Sequence, residues 1–540
     1  MHFGGQVFRA GTGLLQGDPL SLILFNFIID KIRKKIPAES KVIMLSYVDD
    51  VTLAGPCDEV HEVLQSIQQM EKDIGYFLNQ RKCLVCIPNG TQKPDILANI
   101  GSGTHTWMKT MGIPVSGNIG EQKTINQEFL VEATKELNDF CWSDIDAHAG
   151  FTLLRISGGL PKINHFLRCV PSDTIDGSDF DKVQLSSFIR VARLEEAPLV
   201  DESEIDRVFL PIRNKGLGLR KLKDSHPSAY LSSIRSCRQR IESAIPDLSQ
   251  IIKSTSETAE NLWKTQAEDI NLEISDSKQK TLNDVIWKKK YDKLYNGDNI
   301  KFLDSRNGSG LALLPGQNVT ALTNEEFSSA IELYIGNYQK RQRVMKGRDD
   351  HHHGANNPSI VGCNFCTKIT ERHNNLVHIL KDAALSCNIN CKASPKQNRV
   401  YATNNSNAVG LQTFEPSDFS ATIRKKDNTT YTLSMDFSVV DPFADAFKNK
   451  TVQETFASRE KQKNDYYKEL CQRDGITFKP VVFSAYGVAS ANAIEDIQSV
   501  LKKDSNLCSK VLQVMNLEIL KYGGLGLRKY YRLDEKKGDR

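Results

Sequence analysis

Apolar residues run almost unbroken from Leu20 to Ile32, with Pro19 where a first helical turn accepts it and Arg33, Lys34 and Lys35 as a cationic end. The pattern predicts a buried helix. Next, VIMLSY and VTLAG, two β-rich runs, meet around Val48, Asp49 and Asp50, which reads as a hairpin with an acidic tip. Val60, Val63, Leu64, Ile67, Met70 and Ile74 then recur at helical spacing, so an amphipathic helix over 57–75 is expected to lie on a sheet. This alternation fits a small α+β domain.

From about Gly117 to Leu199 the pattern is helical, and polar, charged helices continue over 201–346, interrupted by LPIRNKGLGLRKL. KGRDDHHHGANNP reads as an exposed linker, and its three adjacent His are too few to define a metal site. Beyond it come clustered Cys and His, a β-rich stretch and a charged helix from Val452 to about Arg473. GLGLR occurs at Gly216 and again at Gly524, too short a string to establish a repeat.

A length of 540 residues suggests three or four domains, and 39% apolar residues are enough for packed cores. The net charge of +4 permits nucleic-acid binding without arguing strongly for it, so local patches must carry that case. The N-terminus has no apolar stretch behind a basic start, and Leu20–Ile29, with Ser21 and Asn26, is too short to span a bilayer. A soluble intracellular protein without a membrane partner is expected, its 12 Cys being reduced thiols or metal ligands.

Adjacent carboxylates such as Asp49 and Asp50 suit hard cations like Mg²⁺, which keep water and phosphate oxygens as further ligands. In isolation such a pair is ordinary solvated turn chemistry. Its context is the order GLLQGDPLS, then YVDD, then LNQRK, then MGIPVSG. That order resembles the palm of reverse transcriptases, and more narrowly those of non-long-terminal-repeat retrotransposons. The resemblance implies that Tyr47 to Asp50 form the catalytic hairpin, with Asp49 the preferred Mg²⁺ or Mn²⁺ ligand. It implies that Gln16 and Gly17 contact template and incoming nucleotide, and that Lys82 neutralises phosphate or donates a proton. MGIPVSG would be the primer-grip turn and the helices after it the thumb. In the family a further catalytic Asp lies on a strand before the Gln-Gly-Asp-Pro motif. None of His2 to Thr12 is acidic, so the chain is expected to be the C-terminal part of such an element, truncated within the palm.

Cys363 and Cys366 form a Cys-x-x-Cys turn, with His373, His378, Cys387 and Cys391 following. Two thiolates on a turn completed by His and Cys make a closed tetrahedral Zn²⁺ site, and Cys363, Cys366, His378 and Cys387 are the favoured set. The retrotransposon resemblance points to the same knuckle, although DAALSC places Ala383 where related elements carry a His, so His373 stays open as the third ligand. In the strand Leu433–Val440, Asp436 and Ser438 share one face, and Asp418 would lie at the start of the preceding strand. Two acids on neighbouring strands could bind Mg²⁺. The order resembles the restriction-like endonuclease of these elements, with Ser438 where the usual Lys stands and Glu460 and Lys463, one helical turn apart, supplying a ligand and the missing cation.

The reading is thus a multidomain α+β and α/β protein. It has a palm remnant over 1–118, a thumb-like helical region over 119–200, a helical connector over 201–350 and a zinc-knuckle-like segment over 351–395. A restriction-endonuclease-like α/β domain over 396–500 and a tail over 501–540 complete it. The implied function is RNA-directed DNA polymerase of a retrotransposon, a nucleotidyltransferase using RNA template, DNA primer or target and dNTP, with a nuclease-like domain, in the nucleus. The alternatives are an inactive nucleic-acid-binding remnant and a DNA-nicking endonuclease alone.

Overall fold

The computed structural model describes residues 18–75, 77–87, 95–97, 100–101, 104–194, 199, 201–295, 299–313, 315, 321–336, 368–393, 417–424, 427–473, 475–502 and 504–535, with two short strands, β1 (His2–Phe3) and β2 (Gln6–Val7). It divides into two compact units, residues 1–132 with 169–176, and residues 133–168 with 177–540.

In the first unit, α1 (Pro19–Arg33) starts where the Asp18 carboxylate accepts from the Leu20 amide at 2.9 Å. Only one face of α1 is buried. Ile29 and Ile32, with Phe25 and Ile28 beside them, join Val42, Val63 and Ile67 in a core. Leu20, Ile23, Leu24 and Phe27, at i, i+3, i+4 and i+7, stay 49–65% exposed. This corrects the expectation of a wholly buried helix: a continuous apolar run carries no polar face to say which side packs. The hairpin forms as expected, β3 (Ile43–Tyr47) antiparallel to β4 (Asp50–Ala54), with Tyr47 opposite Asp50. The amphipathic helix is α2 (Cys57–Ile74), ended by Gly75 at φ +68°. Glu59 ties its start to the hairpin by accepting from the Ser40 hydroxyl and the Lys41 amide, each at 2.7 Å.

Further along, β5 (Val85–Cys86) runs parallel to β6 (Thr104–His105), and β7 (Trp107–Thr110) folds back on β8 (Ile113–Ser116). The turn between β7 and β8 has both central residues left-handed, Met111 at φ +52° and Gly112 at φ +79°, the twist that suits a two-residue hairpin. The chain then enters α3 (Ile119–Asp139).

The second unit begins with helices: α4 (Ala147–Leu153), a π-turn over Leu154–Gly158, α5 (Leu160–Cys169), α6 (Ser178–Val191) and α7 (Glu202–Phe209). Then α8 (Leu222–Ala244), α9 (Ser249–Gln266) and α10 (Gln279–Leu294) pack around Leu231, Trp263, Leu282 and Ile286. They are followed by α11 (Asn299–Asp304), α12 (Asn324–Ile335) and α13 (Ile369–Ser386).

A four-stranded sheet follows, built from β9 (Cys391–Ala393), β10 (Phe419–Arg424), β11 (Thr430–Val440) and β12 (Ile476–Ser484) in the order β12-β11-β10-β9. β10 is antiparallel to both neighbours, whereas β11 and β12 are parallel, joined across the helix α14 (Val452–Arg473). Alternation sorts the two faces. Leu433, Met435, Phe437, Val481 and Phe483 pack with α13, α15 (Ala491–Val500) and α16 (Ser505–Glu535). Val440 and Val482 pack with Val452 and Phe456 of α14.

The preceding helices are stitched to this sheet. The Ser484 hydroxyl donates to the Ser305 carbonyl at 2.6 Å, and the Asn307 amide to the Tyr486 carbonyl at 3.1 Å. Asn516 accepts from the Gly310 amide at 2.8 Å and donates to the Gly487 carbonyl at 3.1 Å. The two GLGLR strings occupy unlike places. Gly524 lies in α16, where a Cβ would overlap the Ser329 backbone of α12, and Gly216 lies in a loop, where a Cβ would overlap the Leu210 carbonyl. Among the described residues, no helix is long and apolar enough to cross a membrane.

Candidate functional site

The β3–β4 turn consists of Val48 and Asp49, and Val48 is held at φ +54°. A β-branched residue in the left-handed region is strained, and such strain collects at functional turns. The turn pushes Tyr47, 63% exposed, and the carboxylates of Asp49 and Asp50 into solvent. Neither carboxylate has a hydrogen bond or ion pair among the described residues, so their lone pairs are available to a hard cation. Lys82 is an exposed residue of the short 3₁₀ turn Gln80–Lys82. Gln16 and Gly17 lie outside the described residues. The MGIPVSG turn is anchored to the start of α3, where Ser116 donates through its hydroxyl to Glu121 at 2.6 Å and through its amide to Gln122 at 2.6 Å.

Residues 2–125, which hold both the hairpin and the MGIPVSG turn, match the family model for reverse transcriptase (RNA-dependent DNA polymerase). This stretch is thus similar to part of a reverse transcriptase domain. It is also similar to the retrovirus-related Pol polyprotein from type-1 retrotransposable element R2 of Nasonia vitripennis. The two are 32% identical over 102 residues, 16% of this chain and 10% of that protein. The chain therefore spans about a tenth of the length of the curated relative it matches.

Outside the matched segment, the second unit places the remaining acids. Asp418 sits one step beyond the Phe419–Met435 pair, so it lies across from Asp436, as two acids on neighbouring strands require. Their carboxylates then part. The oxygen Oδ2 of Asp418 accepts from the Phe437 amide at 2.7 Å and shares a hydrogen at 2.8 Å with Nε2 of His373, on α13. Asp436, 1% exposed, turns to the other face and pairs at 2.7 Å with the ammonium of Lys463 on α14, which also lies 5.6 Å from the Tyr467 ring. Glu460, one turn before Lys463, spends both oxygens on the start of α15, accepting from Ser490 at 2.6 Å and Asn492 at 2.7 Å. Ser438 is buried on the same face as Asp436.

Cys363 and Cys366 lie outside the described residues. His378 is exposed on α13, and Cys387 caps the C-terminal end of the same helix. Nine residues separate them, about 13 Å of helical rise, so α13 does not bring them together. His373 is engaged with Asp418. Among the described residues, no group of three or more His, Cys, Asp and Glu gathers as metal ligands. Sequence reasoning missed the His373–Asp418 pair, because 45 residues separate its members and no periodicity links them.

Proposed function

We propose that the chain is a retrotransposon-derived RNA-directed DNA polymerase, incomplete as a polymerase in itself, that binds RNA template, DNA primer and dNTP. The observation that carries this reading is the exposed, unpaired Asp49–Asp50 tip on a strained turn inside the segment that matches reverse transcriptase. In the reaction a primer 3′ hydroxyl attacks the α-phosphate of a dNTP and pyrophosphate leaves. Bound Mg²⁺ or Mn²⁺ supplies charge stabilisation at the attacking and leaving oxygens. Asp49, seconded by Asp50, would hold the cation, Lys82 would offset phosphate charge, and Gln16, Gly17 and Tyr47 would seat nucleotide and template. What supports incompleteness is that a two-ion clamp draws on carboxylates from more than one strand, whereas among the described residues no third His, Cys, Asp or Glu gathers with the Asp49–Asp50 tip.

The test is primer–template binding and primer extension with Mg²⁺ and with Mn²⁺, using Asp49→Asn as control. Binding that weakens steeply with salt, without extension, is expected. Absence of binding overturns the reverse transcriptase reading, and extension abolished by Asp49→Asn overturns incompleteness alone.

A second reading, a DNA-nicking endonuclease, is favoured by the opposition of Asp418 to Asp436 and by the Asp436–Lys463 pair. Here the acids, with Glu460, would hold Mg²⁺ once freed from their present partners, and Lys463 would stabilise charge on the attacked phosphate. Metal-dependent nicking of duplex DNA should vanish in Asp436→Ala; nicking that persists in the variant rules this reading out.

A further inference from the structure

The loop Pro211–Lys221 and the π-turn Leu154–Gly158 converge in the second unit, and both bring arginines. The loop closes tightly, with the Gly216 amide donating to the Pro211 carbonyl at 3.0 Å and the Gly218 amide to the Leu210 carbonyl at 2.9 Å. Gly218 adopts φ +86°, and its open side lies 3.3 Å from Cδ of Arg155. Arg213 and Arg220 both stand 5.8 Å from the ring centroid of Trp287 on α10. Three guanidinium groups thus crowd around one loop and one indole.

Their compensation is incomplete. Arg213 pairs with Asp284. Among the described residues, Arg155 donates at 2.8 Å to the Ala312 carbonyl alone, and its Nε is buried without a partner there. Arg220 is exposed and has no carboxylate among the described residues. Burial lowers the pKa of Arg155, with a further push from the nearby Arg220. Like charges held together on a rigid turn await an anion, and guanidinium forks match phosphate oxygens.

We propose that Arg155, Arg213 and Arg220 form a phosphate site that grips the backbone of a nucleic acid without reading its sequence. The proposal rests on the nucleic-acid reading above and adds a place outside the Asp49–Asp50 tip where the strand is held.

The experiment measures binding of a labelled RNA–DNA duplex to the full chain, by fluorescence anisotropy across a salt series, for the unaltered protein, Arg220→Glu and Arg220→Lys. Arg220→Glu should bind about tenfold more weakly, the loss of one charge-assisted hydrogen bond, and should lower the salt slope by about one. The same variant should melt no lower than the parent, because a carboxylate between two arginines relieves repulsion, and this separates lost contact from lost fold. Arg220→Lys should keep the slope and lose part of the affinity. If the parent binds duplex and Arg220→Glu matches it in affinity and slope, the site is overturned while the nucleic-acid reading stands. A second arm follows melting with added inorganic phosphate. A parent that binds no duplex, yet is stabilised by phosphate when Arg220→Glu is not, overturns the nucleic-acid reading and leaves a small-anion site instead.

Discussion

Asp436 is a carboxylate almost without water, and its ammonium partner Lys463 is itself 14% exposed. Removing one member of such a pair leaves a charge in a poor solvent, which costs more than the pair contributes. Lys463→Met should therefore destabilise the protein by about 3–5 kcal/mol in urea unfolding. Adding Asp436→Leu should recover most of that loss, and a double variant as unstable as the single would show that the pair's packing matters, not its charge. Asp441 behaves differently. Burial pushes its carboxyl up to about 6, against the Phe443 amide that donates to it and the charges of Arg306, Lys301 and Arg372. Because the folded value lies above the ordinary 3.8, the folded chain holds this proton more tightly than the unfolded one, and stability is lost as pH rises from about 4 through 6. Asp441→Asn should match the parent near pH 4 and exceed it by at most about 3 kcal/mol at pH 7. A stability gap independent of pH would contradict this.

At the scale of elements, the hairpin and α2 were legible because alternation, helical spacing and a terminal glycine all agreed on the same boundaries. The exposed stripe of α1 was not, since an all-apolar run looks identical from every side. The convergence of Arg155 with Arg220 was illegible for another reason: 65 residues separate them, and only the fold of a glycine loop brings them together. Helical geometry also constrains the zinc set expected from the sequence, Cys363, Cys366, His378 and Cys387. Ligands of one tetrahedral Zn²⁺ lie within about 4 Å of each other. His378 and Cys387 start about 13 Å apart along α13, and their side chains together span roughly 7 Å. Only one of them can therefore join Cys363 and Cys366 while the helix is intact. Zinc bound by this set should be lost in Cys366→Ser and in no more than one of His378→Ala and Cys387→Ser, as metal analysis of each variant would read. Loss in both would show that α13 opens when metal binds.

For the molecule as a whole, the sequence suggests a break near 351–395, between helical connector and sheet domain, where a linker and a knuckle are expected. The packing of the second unit joins what the linker would separate. Cys508, Val511, Met515 and Ile519 of α16 enter the sheet core, while Leu517 and Leu520 are buried outside that cluster. The helix is thus covered from more than one side: Gly524 gives it close approach to α12, and Lys521 pairs with Glu326 of α12 at 3.3 Å. Arg306, 1% exposed, lies 3.2 Å from the Phe302 ring centroid and 4.2 Å from that of Tyr486, bridging α11 to the turn after β12. Cutting the chain at 368 would strip α16 of α12, leave Asn516 without Gly310 and Asn307, and open the buried Tyr486 to water. Each loss exposes apolar surface or orphans a buried amide, and these add in a small sheet domain that has little stability to spare. A fragment of residues 368–540 should therefore show no cooperative urea transition, whereas residues 133–540 should unfold in one. A sharp transition in the shorter fragment would establish the sheet domain as an independent folding unit and leave the stitched contacts dispensable.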